Sequence, residues 1–114
     1  MFDGLKNLGS LPGLMAKARE MQDKMKSMQE ELARRTVTAD AGGGAVTATC
    51  NGRLELVRLK IEKEKLPDPD DTEMLEDLVV AAVHAAQDKA AEMAKSEMQR
   101  TASDLGLPPG MLPS

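Results

Sequence analysis

Between Pro12 and Arg35 apolar side chains return at Leu14, Ala18, Met21, Met25, Met28 and Leu32, alternately four and three residues apart. That spacing is a heptad seam, the mark of a helix that lays one narrow strip against a neighbour. No proline interrupts it and no glycine follows Gly13, so a helix is expected over residues 12–35. Its length would be about 35 Å at the usual rise per residue. Ser10 stands where a cap belongs, and Pro12 falls in the first turn, where its missing N–H is harmless. Glu20–Lys24, Glu30–Arg34 and Glu31–Arg35 lie four apart with the acid first, which adds local support. The residues ahead of this helix, 1–11, carry Gly4 and Gly9 and read as a flexible lead.

After Arg35 the period drops to two. Thr36-Val37-Thr38-Ala39 and Ala45-Val46-Thr47-Ala48-Thr49-Cys50 alternate β-branched and small residues and read as strands, joined through Gly42-Gly43-Gly44. Asn51-Gly52 suggests a type I′ turn, so a third strand is expected to begin at Arg53. Leu54-Glu55-Leu56 alternates in one phase and Val57-Arg58-Leu59-Lys60-Ile61 in the other, which predicts a bulge at Leu56-Val57. Residues 36–62 thus form a three-stranded antiparallel meander with one apolar face.

Pro67 and Pro69 end the meander, and Asp70 and Asp71 offer an N-cap to a second helix over 72–104. That helix is apolar over a wide arc in its first half, through Leu75, Leu78, Val79 and Ala82, as packing on a sheet requires. Its second half narrows to Ala90, Met93, Ala94 and Met98, which suits a helix running beside another helix. Gly106, Pro108, Pro109 and Gly110 stop it, leaving residues 105–114 as a flexible tail. The fold class is therefore α+β, one domain over 1–114 in the order α-β-β-β-α. Two helices this long overhang a small sheet. One copy leaves the seam of Leu14, Met21, Met25, Met28 and Leu32 partly uncovered, and a homodimer with projecting helices is expected to cover it together with Leu75, Leu78, Val79 and Ala82.

Composition narrows the functions. Phe2 is the sole aromatic residue, which excludes a protein that stacks unpaired bases on rings. Cys50 is the single cysteine and has no partner for an intramolecular disulfide, in keeping with a reducing cytoplasm. No apolar run reaches the roughly 18 residues of a membrane span, and no signal-peptide pattern opens the chain. No membrane partner is expected. The net charge of −4 opposes attraction to polyanions unless the positive residues are segregated.

Met21-Gln22-Asp23-Lys24-Met25-Lys26-Ser27-Met28-Gln29-Glu30-Glu31-Leu32 resembles the first-helix pattern of the YbaB/EbfC nucleoid-associated protein family. The glycine loop leading into Val46, followed by Asn51-Gly52, is similar to the family's sheet. Met74-Leu75-Glu76-Asp77-Leu78-Val79-Val80-Ala81-Ala82-Val83 resembles its second-helix signature, and Leu107-Pro108-Pro109-Gly110-Met111 its C-terminal motif. His84 departs from the pattern, which usually has Asn there. The resemblance implies a cytoplasmic, nucleoid-located bacterial homodimer that grips double-stranded DNA between projecting helices, with effects on chromosome organisation and gene expression. It supplies no catalytic residues and no sharp DNA-contact motif.

Charge must then locate the contacts. Residues 1–36 hold seven Lys and Arg against five Asp and Glu, whereas the remainder holds eight against fourteen. On a helical wheel Lys17, Lys24 and Arg35 flank one border of the seam, Arg19 and Lys26 lie beyond the other, and most acids occupy the back. These five are candidate phosphate contacts, giving salt-dependent binding with little base reading. The plainer alternative is that they solvate a coiled coil. Arg58 and Lys60 share one face of the third strand and either extend the track or blunt a sheet edge.

The other motifs point to ordinary structure. Gly42-Gly43-Gly44 lacks the Lys-Ser/Thr of a phosphate loop and runs into a strand. Asp68, Asp70, Asp71, Glu73, Glu76 and Asp77 lack calcium-loop spacing. His84 and Cys50, each the only residue of its type, make neither a metal site nor a nucleophilic pair. No enzyme, metal, cofactor or small-molecule substrate is expected. The competing reading is a protein-interaction adaptor or chaperone-like dimer, whose flexible methionines would grip a client protein.

Overall fold

The computed structural model describes residues 11–106. The expected Ser10 cap, nearly all of the lead and the Leu107–Met111 motif lie outside these residues. Helix α1 (Leu11–Arg34) is followed by strands β1 (Thr36–Ala41), β2 (Val46–Asn51) and β3 (Leu56–Ile61), a 3-10 turn at Lys63–Lys65 and helix α2 (Thr72–Asp104). The strands form one antiparallel meander in the order β1-β2-β3. This is the α-β-β-β-α architecture that the change of period predicts.

Alternation sets the two faces of the sheet. Ala39 on β1 and Val46, Ala48 and Cys50 on β2 point inward and are buried against Ala82, Ala86 and Ala90 of α2. Small residues on both sides let the helix lie close to the sheet, and Leu75, Leu78, Val79 and Val83 fill the margins. Asp71 caps α2, its carboxylate accepting from the Met74 N–H at 3.0 Å. Burial pushes the Cys50 thiol pKa up, so the group stays protonated and acts as a small apolar side chain.

The second hairpin differs from the expected type I′ turn. Gly52 does not have positive φ; Leu54 does, at 66°, and β3 begins at Leu56, not Arg53. The connection is a three-residue loop: the Leu54 N–H donates to the Asn51 carbonyl at 3.0 Å, and the Asn51 N–H to the Glu55 carbonyl at 3.0 Å. The buried Asn51 side chain organises it, accepting from the N–H groups of Arg53 (2.9 Å) and Glu55 (3.1 Å). The predicted bulge is present: Thr49 pairs with Arg58 and Cys50 with Leu56, leaving Val57 over.

Gly52 serves a different purpose, close approach. Its N–H donates to the carbonyls of Leu32 (2.8 Å) and Arg35 (3.1 Å), capping α1 from a loop remote in sequence. A Cβ at this position would meet Leu32 atoms at 2.7–2.9 Å. Leu32 and Met28 are the two buried residues of α1. Beyond them the helix runs out past the end of α2, and the molecule measures 76 × 23 × 19 Å.

Candidate nucleic-acid interface

The expected seam divides in two. Met28 and Leu32 are buried and Met21 is half-buried, but Leu14 and Met25 are 58% and 40% exposed. On α2, Ala82 is fully buried while Leu75, Leu78 and Val79 are half-buried against the core. A second uncovered apolar surface lies on β3. Helix α2 packs on β1 and β2, so the inward-facing Leu59 and Ile61 remain 38% and 40% exposed.

The basic candidates separate as sharply. Lys17, Arg19 and Lys26 are exposed on α1, and among the described residues none of them forms an ion pair. Lys24 pairs with Glu20 at 3.7 Å and borders a cleft between the helices that also contains Glu31, Glu97 and Asp104. Arg35 bonds directly to Glu97, whose other oxygen takes Arg100 at 2.6 Å. Glu97 is 8% exposed and locks the end of α1 to the far half of α2. Of the wheel's first border, Lys17 alone is unengaged; Arg35 is chiefly a strut.

Charge patterning alone does not single out Glu97, although the sequence carries a signal for it. It follows Ala90 by seven residues and so occupies the buried stripe of α2, where an isolated acid requires a cationic partner.

Arg58 and Lys60 project from the sheet face opposite α2, in register with Thr49 and Thr47 respectively. With Thr38 these side chains line a shallow hollow of about 210 Å³. Thr38 and Thr49 share a hydroxyl hydrogen bond of 3.3 Å. Lys60 reaches Glu62 at 3.3 Å, and Lys65 reaches the same carboxylate at 3.0 Å. Hydrogen bonding from Lys65 first, then from Lys60, holds the Glu62 pKa below its ordinary 4.5. Arg58 has no carboxylate partner among the described residues. The α1 cations and the sheet cations therefore stand on separate surfaces.

Among the described residues no three His, Cys, Asp or Glu side chains gather as a metal would need, and no helix is long and apolar enough to cross a membrane. His84 lies on the exposed side of α2. The fold and its surfaces define a small α+β scaffold protein whose chemistry is presented on open faces. The chain belongs to the YbaB/EbfC DNA-binding family, whose model matches residues 7–105. A nucleoid-associated protein of Granulibacter bethesdensis is 49% identical over 102 residues, covering 90% of this chain and 94% of that protein. One from Syntrophobacter fumaroxidans is 48% identical over 94 residues, covering 82% and 84%. The crystal structure of an uncharacterized protein from Helicobacter pylori superposes with a TM-score of 0.65, covering 75% of this chain and 89% of that one. At 24% identity it speaks for the fold alone.

Proposed function

We propose that this protein binds double-stranded DNA as a homodimer in the bacterial nucleoid, through phosphate contacts with little sequence preference. In this role it organises the chromosome and affects gene expression. The observation that carries the reading is a group of exposed cations that form no ion pair among the described residues, Lys17, Arg19 and Lys26 on α1 and Arg58 on the sheet, on a chain whose net charge is −4. An anionic protein places such groups against phosphates only by segregating them from its acids. The uncovered Leu59 and Ile61, with Leu14 and Met25 on the projecting helix, support the dimer: a second copy removes this apolar surface from water. Two subunits on one duplex then multiply a weak single grip.

The test is duplex binding against salt, with sedimentation on the same sample. Expected are a dimer at micromolar concentration and a log–log slope of about −0.9 for each phosphate neutralised, similar for unrelated sequences. A folded monomer, or no binding at low salt, refutes the reading. The adaptor alternative is favoured by one feature, the row of Leu11, Leu14, Met15 and Met25 along α1, all exposed. A gel shift set beside a client pull-down separates the two.

A further inference from the structure

The sheet face opposite α2 is covered by no other element of the chain among the described residues. Cross-strand register arranges it in rows: Thr38, Thr49 and Arg58 in one, and Asp40, Thr47 and Lys60 in the next. Three threonine hydroxyls, a guanidinium and an ammonium converge on the hollow, all of them able to donate. Asp40 sits on β1 at the far side of the sheet from Lys60, while Glu62 holds Lys60 at 3.3 Å and Lys65 at 3.0 Å. Arg58 is thus the cation of this face with no carboxylate partner among the described residues. The shared Thr38–Thr49 hydrogen bond uses one hydroxyl proton and leaves the other free to point outward.

We propose that this outer sheet face is a second phosphodiester-binding platform, separate from the α1 track, on which Arg58 and Lys60 hold consecutive phosphates of one DNA strand while the threonine hydroxyls donate to their oxygens. It rests on the DNA-binding reading and adds a surface to it. Residues i and i+2 of a strand are about 6.7 Å apart, and both side chains leave the same face. Neighbouring phosphates of one strand rise about 3.4 Å along the duplex axis, and helical winding carries them further apart laterally. The strand repeat is therefore of the size that places one cation per phosphate. Arg58 brings a planar fork that takes two phosphate oxygens, and Lys60 a compact point charge. Nothing here reads a base, which suits binding without sequence preference. A partner copy seated on the inward side of β3, over Leu59 and Ile61, leaves this outer side open.

The experiment measures anisotropy of a labelled random-sequence duplex against salt, using the full chain. Its variants are Arg58→Gln/Lys60→Gln, Thr38→Val/Thr49→Val and Lys17→Gln/Arg19→Gln/Lys26→Gln, each checked by circular dichroism and sedimentation. Loss of Arg58 flattens the log–log slope by about 0.9 and loss of Lys60, which shares Glu62, by less, hence binding about 8- to 60-fold weaker at 0.1 M salt. Valine retains the β-branched shape, so the threonine variant should bind about two- to tenfold more weakly with its slope unchanged. If the paired substitution misfolds, Arg58→Gln and Lys60→Gln are measured singly, and Arg58→Gln should remove the larger part of the slope change. Unaltered affinity and slope in the sheet variants, with binding lost in the α1 variant, overturn the platform while sparing the DNA-binding reading. No binding by the unmodified protein sinks both.

Discussion

Replacing Gly52 with alanine isolates the contact that ties the β2–β3 loop to α1. Gly52 is not in the left-handed region, so backbone strain plays no part, and the added methyl group meets only its surroundings. Those surroundings are tight: Leu32 Cδ2 at 2.7 Å, the Leu32 carbonyl oxygen at 2.8 Å and Leu32 Cβ at 2.9 Å. One of the three is backbone, so rotating the leucine does not relieve the clash. If loop and helix hold position, overpacking costs about 1–3 kcal/mol. If they separate, the Gly52 N–H loses both of its carbonyl acceptors, a penalty of about 1–3 kcal/mol for a buried donor. Alanine recovers about 0.4–1 kcal/mol by restricting the unfolded chain. The net expectation is a loss of about 1.3 kcal/mol, or roughly 5 °C in melting temperature for a domain of this size. Gly43→Ala is the control. Gly43 has φ of +66° and nothing within 4 Å of a new Cβ, so the left-handed penalty of about 1 kcal/mol less the same entropic gain leaves a loss of about 0.3 kcal/mol. Urea unfolding followed by circular dichroism reads both. Stability of Gly52→Ala within 0.5 kcal/mol of the unmodified protein, or below Gly43→Ala in its effect, would refute the close-approach argument.

Three further outcomes follow from the same geometry. Leu54→Asn should stabilise the protein by up to about 1 kcal/mol, because asparagine tolerates the positive φ that leucine resists; an unchanged or lower melting temperature contradicts this. Glu97→Gln removes the charge shared by Arg35 and Arg100 and should cost about 1 kcal/mol, modest because both arginines are well exposed and screened by solvent. The loss should shrink in high salt, and a salt-independent loss would assign it to packing. Glu62 has a folded-state pKa lowered beneath 4.5, so its stabilisation is fully present above that pH and disappears as pH falls through the folded value. Glu62→Gln should therefore unfold with a shallower acid dependence below pH 4.5, and parallel acid profiles for the two proteins would rule the carboxylate out.

The order of elements was legible because each period is local: a 3.5-residue seam, then strict alternation, then a wide apolar arc. Even the bulge at Val57 is written as a change of phase. The second hairpin was not legible, because its shape is set by a tertiary demand. Asn51-Gly52 has the composition of a tight turn, yet the glycine is needed where the loop meets Leu32, and the positive φ falls on Leu54 instead. A turn preference of this kind yields to a packing contact formed with a residue twenty positions earlier. The site shows the same division. Placing Arg58 and Lys60 on one polar face follows from alternation alone, while the capture of Arg35 by Glu97, 62 residues away, needs the helix crossing to be known.

That capture bears on how an acidic chain presents positive charge. A cation beside a buried acid is held in one geometry and partly neutralised, so it serves the scaffold more than a ligand. Arg35 and Arg100 are of this kind, and Lys24, facing Glu20 and the mixed charges of the interhelical cleft, is close to it. Lys17 and Arg19 lie on α1 ahead of the cleft it shares with α2, Lys26 lies on the exposed side of the packed part, and Arg58 lies on the sheet face opposite α2. Their counter-charges must come from solution ions or from a polyanion, and displacing several small ions with one polyanion is entropically favourable. Part of this segregation follows from the overhang: Lys17 and Arg19 stand where α1 outreaches its packing partner, away from the acids of α2. Trimming α1 ahead of Met21 should accordingly weaken duplex binding and flatten its salt dependence while the fold of each subunit, held by Met28, Leu32 and the sheet, is kept, as circular dichroism reads.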